Sequence, residues 1–310
     1  MPVTRILAPL AVILVALGLP PARAAGAEPH GMTAKLAAYV ACVNRLSERA
    51  HDSRRRYFSW VGKKGPTGRE RIKYGLYTIY DTSDCANGVE RANASEPRDE
   101  ALEAAATAYV AAVTALEPLL KEANDYYTQE NWKDDRMAKG KALHPRLVAA
   151  WNAFAGADET LRLALDVMQE KASEERLAAL AATDGKSARY RVEAVMLTAK
   201  RLLRHLTPAR PDMARIGPAL AAYEAEVREA EALGAADRAR GIGTSFVSAA
   251  KSYLVSAKQL MRRIRDKVPY SRGDRMILNS GGGWMVEGSP ARVVRDYNGL
   301  VGSYNRGSRF

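Results

Sequence analysis

The chain has 310 residues, a formal charge of +12, two cysteines and four histidines. The basic excess points to anionic partners, and the low cysteine count excludes a cysteine-rich metal site and argues against a thiol nucleophile. There is no Walker motif, no H-E-x-x-H and no C-x-x-C, and the G-I-G at Gly241 and Gly243 lacks the third glycine and preceding strand that dinucleotide binding requires.

Residues 1–24 place Arg5 ahead of an apolar run from Ile6 to Leu19 and end on the small-x-small sequence Ala22-Arg23-Ala24. This predicts a secretory signal cleaved after Ala24. The run is broken by Pro9 and falls short of the roughly twenty residues of a membrane span. No cysteine lies near the cleavage point to accept a lipid, so the expected mature protein is exported, periplasmic and soluble rather than a lipoprotein. Loss of Arg5 and Arg23 with the leader lowers the charge from +12 to +10. Outside the cytoplasm that charge favours phosphate-bearing lipid or acidic glycan over nucleic acid. In an exported chain Cys42 and Cys85 read as one disulfide, contributing about 4 kcal/mol in the chain-entropy model.

Residues 25–310 read as one all-α domain. Leu36, Tyr39, Val40, Val43, Leu46 and Ala50 predict a first helix reaching about Val61, stopped by the GKKGPTG loop. The stretch RERIKYGLYTIYDTSDC is irregular or a short helix, and residues 32–95 form a basic, aromatic segment expected to pack on the bundle. From Asp99 onward, Leu102, Ala106, Tyr109, Val113, Leu116, Leu120, Ala123 and Tyr127 recur at alternating intervals of four and three, a coiled-coil-like seam with a bend expected at Pro118. Leu143, Leu147, Ala150, Phe154, Ala157, Leu161, Leu165 and Met168 make a second seam, on a helix ended by Asp184 and Gly185.

Further helices are predicted over residues 187–206, 214–233 and 245–267, then an extended loop of about twenty residues before a last helix over PARVVRDYNGLVGSYN. No period of two persists long enough for a sheet. The expected architecture is an elongated bundle of long antiparallel helices, about 45 Å for each thirty-residue seam.

Charge is unevenly placed. Between Arg45 and Lys73 there are ten basic and three acidic residues; between Glu96 and Asp135 there are ten acidic and three basic. The two segments could lie along each other, or the basic one could face a ligand. Arg54, Arg55, Arg56, Tyr57, Trp60, Lys63, Lys64 and Tyr74 are the candidate binding residues, because cations interleaved with aromatics can neutralise phosphate while stacking on rings. The alternative is that the aromatics close one end of the bundle.

Glu48 and His51 form the one E-x-x-H, a pair of the type found in di-iron bundles, but the second copy and two further carboxylates are missing. His30, His51, His144 and His205 show no ligand spacing. No cofactor and no metal are expected. Asp134, Asp135 and His144 are the only acid/base set an enzyme acting on envelope polymers could use. Adjacent helical residues point about 100° apart, however, and carboxylates there are better explained as helix caps meeting the macrodipole.

The runs YVACVNRLSERAHDSRRRYFSWVGKKGPTGRERIKYGLYTIYDTSDC, YYTQENWKDDRMAKGKALHP and YNGLVGSYN together resemble the YiiG-like family of bacterial envelope proteins, a domain of unknown function. Its most specific part covers Tyr126, Tyr127, Gln129, Asn131, Lys133, Asp134, Asp135 and, further on, His144. The resemblance implies an exported, all-helical protein, and it supplies no mechanism. Members are often lipoproteins, and this chain departs from that by lacking the acceptor cysteine. The functional expectation is a non-catalytic binding or scaffolding protein of the cell envelope with an anionic lipid, a glycan or another envelope protein as partner. An envelope-polymer enzyme and a metal-handling protein are the alternatives.

Overall fold

The computed structural model describes residues 31–208, 210–236 and 242–307; the expected leader, His30 and Gly241 lie outside them. The described residues are all-α, with no strand among them and a single isolated bridge between Gly62 and Gly65. Packing divides into two compact units, an N-terminal one over residues 31–169 and a C-terminal one from 170 onward.

The N-terminal unit contains α1 (Gly31–Phe58), α2 (Ser83–Ala94), α3 (Glu100–Thr128) and the first part of α4 (Ala138–Asp184). α3 starts where Asp99 accepts a hydrogen bond from the Leu102 N–H (2.9 Å), satisfying one free donor of the first turn, and it continues through Pro118. Its whole predicted seam is buried, together with Leu36, Tyr39, Val43, Leu46 and Ala50 of α1. On α4, Leu143, Leu147, Phe154, Leu161 and Leu165 of the expected seam are buried, and two further positions join them. Trp151 and Asp158 are buried, whereas Ala150 and Ala157 are only partly so. The buried residues keep a seven-residue spacing, Leu147, Phe154 and Leu161 with Trp151, Asp158 and Leu165, and the large indole takes the inward position in place of the neighbouring alanine. Burying a Leu or Phe in such a core contributes roughly 1.5–3 kcal/mol.

Of residues 69–85, the stretch expected to be irregular or a short helix, 69–81 adopt no regular structure and the last three open α2 at Ser83. Cys42 on α1 and Cys85 on α2 are joined as a disulfide with Cα atoms 4.9 Å apart, within the usual range for such a bridge.

The C-terminal unit contains the end of α4 with α5 (Ala188–Leu206), α6 (Met213–Ala236), α7 (Thr244–Arg265), α8 (Arg272–Asn279) and α9 (Pro290–Gly307). α5 packs on α6, α6 on α7, α7 on α9 and α9 on α5. At its centre the Tyr253 ring sits edge-on to Tyr223 (5.2 Å) and Tyr297 (5.6 Å). The buried hydroxyls of Tyr223 and Tyr253 donate to the carbonyls of Ala250 and Ala199, so neither is left unsatisfied. The expected twenty-residue loop is instead interrupted by α8. Ser271 and Asp274 form a reciprocal capping box there, enough to start a helix between Pro269 and the glycine run that begins at Gly281.

Candidate functional site

On α1, Arg45, Arg49 and Arg56 are four and seven residues apart and so share one face. The chain from Tyr74 to Tyr80 lies against that face without regular structure, with Tyr74, Tyr77 and Tyr80 at intervals of three. Arg49 lies 4.3 Å from the Tyr77 ring centre, Arg56 4.6 Å from Tyr77 and 5.7 Å from Tyr74, and Arg45 5.8 Å from Tyr80. Side chains also supply backbone partners that a sheet would otherwise provide. Arg49 donates to Thr78 O (3.0 Å), Arg56 to Tyr74 O (2.9 Å), Ser53 to Tyr77 O (2.5 Å) and the Trp60 indole to Gly75 O (2.8 Å). Of the predicted binding residues, Arg56 and Trp60 are therefore engaged in holding this strap, while Tyr74 and Tyr80 remain exposed.

The other predicted residues fall into two groups. Tyr57 is fully buried, and burial pushes its phenol up to about 12. It approaches His144 Nδ1 at 3.0 Å, and His144 Nε2 is 3.3 Å from the Lys63 carbonyl oxygen. A carbonyl only accepts, so Nε2 donates to Lys63 O, while Nδ1 faces the Tyr57 hydroxyl. Arg54 donates to Asn152 and Arg55 pairs with Asp52. Lys63 and Lys64 are exposed.

The residues of the family motif build the turn between α3 and α4. Tyr126 donates to Asp135 Oδ1 (2.7 Å), while Asp135 Oδ2 accepts from the Lys139 N–H (2.8 Å) at the start of α4. Burial raises the Asp135 carboxyl, but these hydrogen bonds outweigh it and hold the group below its usual value. Asp134 is exposed, Lys133 pairs with Glu130, and Asn131 donates to Gln129. Glu130, Arg136 and Met137 all have positive φ, a conformation that costs free energy in residues other than glycine and that the packing around Tyr126 and Tyr127 enforces. Gly140 admits these rings: a Cβ there would lie 3.0 Å from the Tyr127 hydroxyl. The Tyr127 hydroxyl lies buried beside that of Tyr57, and the indole N–H of Trp151 is buried without a hydrogen-bond partner among the described residues. Asp135 and His144 are thus each held by their own structural neighbours.

The loop of residues 62–70 rests on the start of α4. Gly65 (φ +98°) backs onto the His144 ring, and Gly68 (φ +88°) onto Met137. Its acid, Glu70, faces inward to Thr67 N (2.5 Å), Thr67 Oγ1 (2.7 Å) and Gly68 N (2.9 Å). Burial raises the Glu70 carboxyl, yet the hydrogen bonds from Thr67 and Gly68 prevail and its value falls below the usual one. Lys63, Lys64, Arg69 and Arg71 are exposed and meet no acidic partner among the described residues. Nor does any ion pair among the described residues join segment 45–73 to the acidic segment 96–135. Four of those acids, Glu103, Glu117, Glu122 and Glu130, pair instead with Lys35, Arg98, Lys121, Lys133, Lys139 and Arg146. The loop consequently carries an unneutralised positive charge beside exposed Tyr74.

Residues 31–306, a span that holds all of these side chains, match a family described as Protein of unknown function (DUF3829). The chain belongs to this family. It is also similar to "Uncharacterized protein YiiG" of Escherichia coli (strain K12), with 35% identity over 276 residues, covering 87% of this chain and 78% of that protein. No solved structure matches.

The E-x-x-H pair of this DUF3829 chain separates: Glu48 is exposed, whereas His51 turns inward to Asp158 Oδ2 (3.1 Å). Asp158, which sequence reasoning missed, also accepts from Ser47 (2.7 Å) and Arg162 (3.0 Å), and Ser47 lies 2.7 Å from the Tyr109 hydroxyl. Burial raises the Asp158 carboxyl, but His51, Arg162 and Ser47 together bring it below the usual value. This is a closed polar cluster inside the N-terminal core, in which the carboxylate is already fully engaged. Among the described residues no group of three or more His, Cys, Asp or Glu side chains could hold a metal ion, and no helix is long and apolar enough to cross a membrane.

Proposed function

We propose that this DUF3829 protein is an exported, non-catalytic binding or scaffolding component of the bacterial cell envelope that holds a polyanionic envelope component on loop 62–74. The observation that carries this reading is that Lys63, Lys64, Arg69 and Arg71 project from one loop with no acid to neutralise them, next to exposed Tyr74. Cations of this kind attract phosphate or carboxylate at a distance set by the Debye length, about 8–10 Å at physiological salt, and the tyrosine ring offers a stacking face for a sugar. The Cys42–Cys85 bridge accords with an oxidising compartment.

The test compares the full chain with a K63Q/K64Q/R69Q/R71Q variant on an acidic-glycan resin and on vesicles of phosphatidylglycerol. Elution at distinctly lower salt, or lost retention, is expected for the variant on whichever matrix presents the right anion, and the two matrices separate glycan from lipid. Identical elution of both proteins on both matrices would refute the assignment.

A further inference from the structure

α8 stands apart from the core that surrounds it. None of its eight residues is buried, although Met276, Ile277 and Leu278 are apolar. The segment from Val268 to Met285 holds four exposed large apolar side chains: Val268 (49% exposed), Met276 (68%), Trp284 (47%) and Met285 (52%). A cluster of this kind in a folded protein marks a contact surface rather than ordinary scatter.

The segment is anchored at its base. Arg263 stacks 4.4 Å from the Tyr270 ring, donates to the carbonyls of Val268 (3.3 Å) and Pro269 (3.1 Å), and reaches across to Glu287 O (3.1 Å). Tyr270 donates to Gly288 O (3.1 Å), and the buried Ser289 hydroxyl to Gly283 O (2.6 Å). Gly288 has φ +65°, and a Cβ there would fall 2.9 Å from Arg263 Nε, so the clamp needs glycine at that position. The apolar tip is therefore presented by a fixed base.

Charge is matched to it. Residues 262–295 hold eight basic and three acidic residues. Asp266 is paired with Arg265, Asp274 is taken up by the capping box and Glu287 is exposed; Lys267, Arg272 and Arg275 are exposed too, Arg275 also donating to the Tyr270 carbonyl (2.8 Å). Arg295 lies 5.3 Å from the centre of the Trp284 ring. Isolated apolar side chains that project outward, a tryptophan beside an arginine, and a ring of cations suit the boundary between headgroups and acyl chains. There Trp and Met enter the apolar layer and Lys and Arg remain at the phosphates. An eight-residue helix is about 12 Å long, enough to lie in that interface and far too short to cross it.

We infer that α8 and the Trp284-Met285 turn form a peripheral docking element for an anionic phospholipid surface. It belongs to the C-terminal unit and does not depend on the loop 62–74 reading.

The experiment uses the full chain with vesicles of neutral phosphatidylcholine, with or without phosphatidylglycerol, and with brominated acyl chains as a quencher of tryptophan fluorescence. Any contribution of the leader is common to all variants. Quenching is expected in the parent and lost in W284F, which identifies Trp284 as the residue in the acyl layer. Partition onto anionic vesicles should fall tenfold or more in M276S/W284S. It should also fall more than tenfold in R272Q/R275Q, at about fivefold per cation near an anionic surface. K63Q/K64Q/R69Q/R71Q should leave Trp284 quenching intact. Circular dichroism verifies folding of each variant, since the altered side chains are exposed. Equal quenching of the parent and W284F, or unchanged partition of M276S/W284S, would overturn the proposal. So would a dimer that M276S/W284S converts to monomer without any change in partition, which would assign the face to a second copy of the chain.

Discussion

Substitution of Asp158 by alanine removes the acceptor at the centre of the N-terminal core, and the structure fixes the size of the effect. Breaking a buried charge pair typically costs 3–5 kcal/mol. Here Ser47 keeps Tyr109 as a partner, and the side chains of His51 (22% exposed) and Arg162 (29% exposed) can turn to water. The cost should thus lie at the lower end, about 3 kcal/mol, most of it from the Ser47 hydrogen bond and the cavity left behind. Trp60, Trp132 and Trp151 lie in the N-terminal unit and Trp284 in the C-terminal one, so a W284F background gives a fluorescence signal from the N-terminal unit alone. With an m-value of about 1–3 kcal/mol/M, the urea midpoint should fall by about 1–3 M. The folded carboxyl ionises below its ordinary value. Its contribution is therefore complete above the unfolded value of about 3.9 and is lost as pH falls through the folded one, so the gap between parent and variant should be full at pH 7 and narrow below about pH 4. A midpoint shift under about 0.3 M at pH 7, or a gap that widens towards acid, would refute this account.

Three other perturbations bear on separate parts of the chain. Replacing Cys42 and Cys85 by serine should destabilise the N-terminal unit by about 4 kcal/mol, read as a lower urea midpoint that added reductant no longer changes. Gly140→Ala places a methyl 3.0 Å from the Tyr127 hydroxyl and 2.6 Å from Met137 Sδ, and should cost about 1–3 kcal/mol in the same assay, with little cost if the turn can open. Gly288→Ala should open the Arg263 clamp, costing about 1–3 kcal/mol and altering Trp284 emission while leaving the signal of the other tryptophans unchanged.

What the sequence made legible follows from where each residue finds its partners. The α3 seam was readable because intervals of four and three act within one helix and Asp99 caps it locally. On α4 the same pattern found the inward face at Leu143, Leu147, Phe154, Leu161 and Leu165 but passed over Trp151 and Asp158, whose side chains are not those of an aliphatic seam and whose burial shows only in the packed core. Asp158 was invisible because its partners Ser47 and His51 lie 111 and 107 residues away. α8 was read as loop because eight residues give little more than two turns of periodic signal between Pro269 and the glycines from Gly281 on, although Ser271 and Asp274 already marked a capping box. Tyr57 was read as a binding residue because it sits among surface cations in the sequence, yet Leu36, Val43 and Ala50 precede it at intervals of seven, the phase of the buried face.

The positive charge of loop 62–74 could not be obtained from local pattern at all. Ten bases in one run and ten acids in another are equally consistent with mutual neutralisation and with a free surface. The outcome turns on how many acids are already occupied. Glu117 is taken by Lys121 one turn away, Glu122 by Lys139 and Arg146 of α4, and Glu103 by the buried Lys35 and by Arg98. Glu70, the acid closest in sequence to the free cations, is turned inward by the loop's own backbone. Each of these pairings is set by helix packing or by a tight turn, so the cations of the loop remain exposed because the fold has assigned the acids elsewhere.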